Sequence, residues 1–287
     1  MSHPAEQGRE KTTLLRFDFE LRSENSPVTF DLSIGIDYSG RETASSRTSA
    51  LQVYAGNDGG EPRRIVSPES SRKSFRNWNR KEIAGWIIDQ AQHELRFIAG
   101  VDHGFSFPLD YFQRYKLSSW DHYLADFCEH WPTDQEQTPV DFIRDEIHGP
   151  LKRVGSSKDL RLTEKWTSSA KSVFLFDVQG SVAKSTHAGL PWLRRIRDAV
   201  GSQVHFWPFD GWQPAEGKSV IAEVFPSIFR NRYPKDNRTA DQQDAYCVAR
   251  WLSEAQQSGV LEHYFEPPLT AKERAIADLE GWILGIC

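Results

Sequence analysis

Thr29-Phe-Asp-Leu-Ser-Ile-Gly-Ile-Asp-Tyr-Ser-Gly40 is the stretch from which the fold can be read. Its side chains alternate, with Phe30, Leu32, Ile34 and Ile36 on one side and Ser33, Gly35 and Asp37 on the other. Such a period of two predicts a β-strand. The small residues beside Asp37 leave room around its carboxylate. Outward from this strand, Ser49-Ala-Leu-Gln-Val-Tyr54 and Arg63-Arg-Ile-Val-Ser67 flank Gly56-Asn-Asp-Gly-Gly60, a hairpin signal because Asn, Asp and Gly accept positive φ. Residues 79–95 place Ile83, Trp86, Ile87, Ala91 and Leu95 on one helical face. Phe97 to Val101 is continuously apolar, as expected of a strand covered on both faces in a parallel sheet. The first hundred residues therefore predict strand, two-stranded hairpin, helix, strand.

The remainder of the chain extends this alternation. Residues 1–28 are expected to form a leader and an extra strand at 14–22, where Leu14-Leu-Arg-Phe-Asp-Phe-Glu-Leu-Arg22 alternates apolar and charged residues. Residues 29–287 then form the main domain. Residues 103–170, rich in Trp, Tyr, Phe and His, read as a helical insertion with helices near 119–130 and 139–148. Beyond it, Val173-Phe-Leu-Phe-Asp-Val178 predicts a strand, 191–200 a helix, and Gln203-Val-His-Phe-Trp207 and 219–225 two strands. A helix over 239–257 buries Ala245, Val248, Leu252 and Ala255, and a last helix covers 271–287. Alternating strands and helices define an α/β layered fold.

Asp37 and Asp102 end apolar runs, Glu223 lies inside Val220-Ile-Ala-Glu-Val-Phe-Pro226, and Asp241 and Asp244 share a helical face. A carboxylate at the end of a buried strand is costly unless its charge is balanced. In open parallel sheets, ligands gather beyond the carboxyl ends of the strands. Brought together there, these groups would repel one another. Their natural counter-charge is a hard divalent cation, and four or five carboxylates could hold two Mg²⁺ or Mn²⁺ ions, with Asp37, Asp102, Glu223 and Asp244 as ligands and Asp241 beside them. Each residue also has a plainer reading. Asp37 and Asp102 suit turn starts, and Asp241 and Asp244 suit the helix dipole.

The order of these motifs resembles the ribonuclease H-like superfamily. The Asp241-Gln-Gln-Asp244-Ala245 segment looks like the closing helix of RuvC-type junction resolvases. More closely, the chain resembles the family catalogued as domain of unknown function 429, a predicted ribonuclease H-like nuclease group. The resemblance rests on Gly35-Ile-Asp37, Gly100-Val-Asp102, His187-Ala-Gly-Leu-Pro-Trp192, Ala222-Glu-Val-Phe-Pro226, Asp241-Gln-Gln-Asp244-Ala245 and Glu280-Gly-Trp-Ile-Leu-Gly285. It implies a mixed sheet flanked by helices and metal-dependent hydrolysis of DNA or RNA. One departure concerns the glutamate that ribonuclease H carries on its first helix. The candidates for it here are Glu82 and Glu94, with Glu223 as a replacement on a later strand.

Other residues fit nucleic acid. Arg194 and Arg195, and Arg230, Arg232 and Arg238 in the run between Glu223 and Asp241, are candidate phosphate contacts. Ser71-Arg-Lys-Ser-Phe-Arg-Asn-Trp-Asn-Arg-Lys81 interleaves basic and aromatic residues, as a single-strand platform would. His187, placed by its sequence in a loop before a helix, is either a proton shuttle or a packing residue. A net charge of −5 and a pI near 6.0 argue against a DNA-coating protein but leave room for a nuclease. Three Cys without CxxC spacing predict neither zinc nor a disulfide-linked partner. With no run of 18 apolar residues, the expectation is a cytoplasmic protein away from membranes. Two other functions compete with the nuclease. One is an ATP-dependent phosphotransferase of the actin and sugar-kinase kind, which needs a duplicated core. The other is an inactive nucleic-acid-binding module. The lack of G-x-G-x-x-G after any strand argues against a Rossmann dehydrogenase.

Overall fold

The computed structural model describes residues 29–57, 59–69, 77–93, 95–145, 153–167 and 169–287. The strand expected at 14–22, Glu94 and positions 71–76 of the basic and aromatic stretch lie outside them. Six strands form one mixed sheet: β1 (Leu32–Asp37), β2 (Gln52–Asn57), β3 (Arg63–Ile65), β4 (Phe97–Asp102), β5 (Val204–Trp207) and β6 (Ser219–Glu223), in the order β3-β2-β1-β4-β6-β5. The hairpin strands β2 and β3 pair antiparallel, as their turn chemistry predicts. β1, β4, β6 and β5 run parallel, consistent with their near-continuous apolar sequences.

Both faces of the sheet are covered. One face presents Ile34, Ile36, Ala99, Val101, Ile221 and Phe206 to α1 (Arg80–Ala91) and α6 (Ala183–Val200). On the other, Ile98, Val220, Ala222, Val224 and Trp207 pack on α7 (Ala240–Gln257). Four helices, α2 (Leu109–Tyr115), α3 (Trp120–His130), α4 (Val140–Arg144) and α5 (Leu162–Trp166), occupy the span read as an insertion. Their aromatic residues are core. Phe107 alone makes edge-on or tilted contacts with Tyr111, Tyr123, Phe127, Phe174 and His187. The chain closes with α8 (Leu261–Phe265) and α9 (Ala271–Glu280).

Three local predictions are corrected. The last helix, expected over 271–287, ends at Glu280, where Gly281 turns the chain with a φ of 74°. Residues 173–178 form turns rather than a strand, because Val173 and Phe174 are buried among the aromatic residues of the insertion instead of joining the sheet. Helix α6 starts at Ala183, eight residues before Pro191. Proline inside a helix removes the hydrogen bond to the carbonyl four residues back. Here that carbonyl belongs to His187, and the Thr133 hydroxyl donates to it at 2.6 Å. The insertion thus supplies the bond that Pro191 cannot, and the helix runs through.

Candidate functional site

Asp37 and Asp102 are direct partners across two adjacent parallel strands, at the carboxyl ends of both. Two residues earlier, Gly35 and Gly100 are also partners. A methyl group at Gly35 would stand 2.0 Å from the Ala245 carbonyl oxygen, and one at Gly100 would stand 2.6 Å from Val248 Cγ1. The missing side chains let α7 lie directly on the sheet, and this brings Asp244 and Asp241 to the two strand-end aspartates. Thr239 caps α7 by accepting from the Gln242 N–H, with the Gln242 side chain accepting in return from the Thr239 N–H. Asp241 sits in the first turn, where the helix dipole favours a carboxylate.

The electrostatics of the group follow from this crowding. Asp37 is 8% exposed. Burial first, and then the charges of Asp102, Asp241 and Asp244, hold its carboxyl well above the ordinary value, against the pull of Arg230. Asp102 is pushed up to about 8 by burial, then by Asp244 and Glu223, with Arg230 and a hydrogen bond with Asp37 opposing. Asp244 is also raised, chiefly by burial, although Arg230 counters it. Arg230 is the cation that enters the group: its Nε and Nη2 donate to the two Asp244 oxygens at 2.5 Å each.

Glu223 stands elsewhere. Its register partner on β4 is Val101, one residue before Asp102, so its side chain leaves the opposite face of the sheet. There it accepts from Arg161 Nη1 at 2.7 Å, from Arg161 Nη2 at 2.5 Å and from the Phe105 N–H at 2.8 Å. The expectation that a glutamate among Val220, Ile221 and Val224 is buried holds, but an arginine balances it. Sequence reasoning missed Arg161. The Arg161-Leu-Thr-Glu164 spacing was the one available signal, since it puts an arginine and a carboxylate on one helical face. Glu82 is likewise occupied, accepting from Arg47 and from the Ser67 hydroxyl.

His187 is corrected from loop to helix and is fully buried. Its Nδ1 donates to the Ala183 carbonyl at 2.9 Å, and Phe107, Phe127, Trp131 and Phe176 surround the ring. Burial pulls its pKa down to about 3, so it stays neutral and acts as a packing residue. Arg194 and Arg195 also lie away from the aspartates, on the helix covering the other face. Arg194 pairs with Asp198, and Arg195 pairs with Asp134. Of the second basic run, Arg230 meets the acidic group directly. Arg238 bonds Gln243 and stacks on Tyr246, with its guanidinium 3.7 Å from the ring centroid. Arg232 is exposed on the same 3-10 turn as Arg230.

As the side chains stand, no group of three or more His, Cys, Asp and Glu among the described residues is arranged to hold a metal ion. The geometry explains why: Asp37 and Asp102 provide two carboxylates, Asp244 is engaged by Arg230, and Glu223 lies on the other face. The donor set is nonetheless all oxygen, which suits Mg²⁺ or Mn²⁺, and among the described residues Arg230, which bonds Asp244, is the cation acting on Asp37 and Asp102. Comparison of the chain with protein-family models, with curated proteins and with solved structures finds no match.

Proposed function

We propose that this chain is a metal-dependent phosphodiesterase acting on nucleic acid, built on a ribonuclease H-like core. The observation that carries the reading is the pairing of Asp37 with Asp102 at the ends of adjacent parallel strands, with the Asp241–Asp244 turn laid against them. Asp37, Asp102 and Asp244 would hold the ion, with Asp241 at its edge. A divalent cation in this position supplies stabilisation of the negative charge that builds on a phosphate under attack. The protein's own part is positional. The strand ends fix two carboxylates, the glycines let α7 deliver the third, and Arg230 and Arg232 present positive charge beside them. The order of elements in the sheet supports the ribonuclease H-like reading, as do the retained Gly35-Ile-Asp37 and Gly100-Val-Asp102 motifs. The described residues contain one sheet and no second copy of it, which disfavours the duplicated core of the sugar-kinase type.

The test is cleavage of labelled single-stranded, duplex, hybrid and branched nucleic acids in Mg²⁺ or Mn²⁺ by the wild-type chain and Asp37→Asn. We expect cutting that needs the metal and falls at least ~100-fold in the variant, the scale lost with a transition-state-stabilising group. Folded wild-type protein that cuts none of these substrates would overturn the proposal in favour of a binding module.

A further inference from the structure

Arg230 holds the position in which a cation would be expected, and it reaches there from the surface. Its side chain is 47% exposed, while the Asp244 side chain it grips is 10% exposed. It sits on a single 3-10 turn, Arg230–Arg232, inside a basic run at the protein surface. Both Asp244 oxygens accept from the guanidinium, so a metal at Asp244 would stand beside the Arg230 charge and compete with it. Asp37 and Asp102 alone would give Mg²⁺ or Mn²⁺ two carboxylate ligands and leave the rest of its shell to water, so a freed Asp244 would add a third and tighten the hold. A guanidinium gripping a carboxylate in this two-pronged manner matches a phosphate equally well, because both present two oxygens in one plane.

From this geometry we propose that Arg230 is a displaceable cover on the acidic site: a phosphate of the substrate draws the guanidinium off Asp244, and Asp244 then turns to the cation. The inference rests on the metal-dependent reading above and adds a coupling to it. Metal and phosphodiester would bind together, each strengthening the other, because each removes the partner that the other needs removed. In the absence of substrate, Asp244 would stay covered and the cation would bind weakly.

The experiment is a Mn²⁺ titration of the full chain followed by electron paramagnetic resonance, comparing wild type with Arg230→Gln and Arg230→Lys. Each is titrated alone and with a short phosphorothioate single strand, and circular dichroism verifies folding. We expect Arg230→Gln to bind Mn²⁺ alone about 10-fold more tightly than wild type, which corresponds to ~1.4 kcal/mol. Arg230→Lys, which cannot grip both oxygens, should fall between them. The single strand should tighten Mn²⁺ binding in wild type and leave Arg230→Gln unchanged. Equal Mn²⁺ affinity in wild type and both variants would overturn the cover while leaving the metal site standing. Absence of Mn²⁺ binding in every protein would overturn the cover and the proposed function together.

Discussion

Asp102 sets burial against charge at the centre of the acidic group. Its carboxyl is pushed from an ordinary value near 3.8 up to about 8, by burial first and by its acidic neighbours second. The sign of the effect on stability follows directly. The folded state holds this proton more tightly than the unfolded chain does, so the contribution is full below about pH 4 and is lost as pH rises through about 8. Asp102→Asn keeps the shape and removes the charge. Without metal, the variant should match wild type near pH 4. By pH 8.5 it should be more stable by at least ~1.4 kcal/mol, the worth of one pKa unit. Urea denaturation across that range, with a chelator present, measures the difference, and parallel curves would count against the raised Asp102 carboxyl. The placement of Asp37 and Asp102 at strand ends was legible in the chain because each ends an apolar run. The fate of Glu223 was not. Its place in the sequence resembles theirs, but it faces the other side of the sheet, and that depends on a register between β4 and β6 that no local pattern reveals.

At the scale of elements, the site depends on how closely α7 approaches the sheet. The sequence announced this helix through its stripe at Ala245, Val248, Leu252 and Ala255, all of which are buried. It announced the small residue at position 35 as well, but only the packing shows what that residue is for. A methyl group there meets the backbone oxygen of Ala245, which cannot swing aside as a flexible side chain would. Gly35→Ala must therefore push α7 outward and carry Asp244 away from Asp37. Overpacking of this kind costs about 1–3 kcal/mol. We expect a loss near the upper end of that range in denaturant unfolding, together with weaker Mn²⁺ binding. An unchanged midpoint would show that α7 has slack the structure does not suggest. The failed strand at 173–178 has the complementary explanation. Apolar side chains there serve an aromatic cluster contributed by distant segments, and a local pattern cannot tell that burial from a place in the sheet.

At the scale of the molecule, the question is what fixes the segment read as an insertion to the sheet that carries the aspartates. Arg161 is 1% exposed and joins three parts of the chain. It bonds Glu164 on α5, Glu223 at the end of β6 and the backbone carbonyl of Glu280 at the end of α9. The Glu280 carboxylate in turn accepts from the Leu109 and Leu162 N–H groups at the starts of α2 and α5. This lock was not legible in the sequence, because its members lie as much as 171 residues apart. Exchanging such a buried ion pair for apolar residues can be neutral, but removing one partner leaves a bare charge and costs about 3–5 kcal/mol. Arg161→Met leaves two carboxylates, Glu164 and Glu223, without their cation. We expect a loss of that size, with faster proteolysis within residues 103–170. Adding Glu223→Gln should recover at least ~1 kcal/mol, since one of the two stranded charges is then gone. If Arg161→Met cost less than ~1 kcal/mol, the insertion would have to be held by its aromatic packing alone. The same logic bears on the acidic site. Glu223 has its counter-charge within the protein and so is a structural group, whereas Asp37 and Asp102 have none bonded to them among the described residues, and that difference separates the lock from the site.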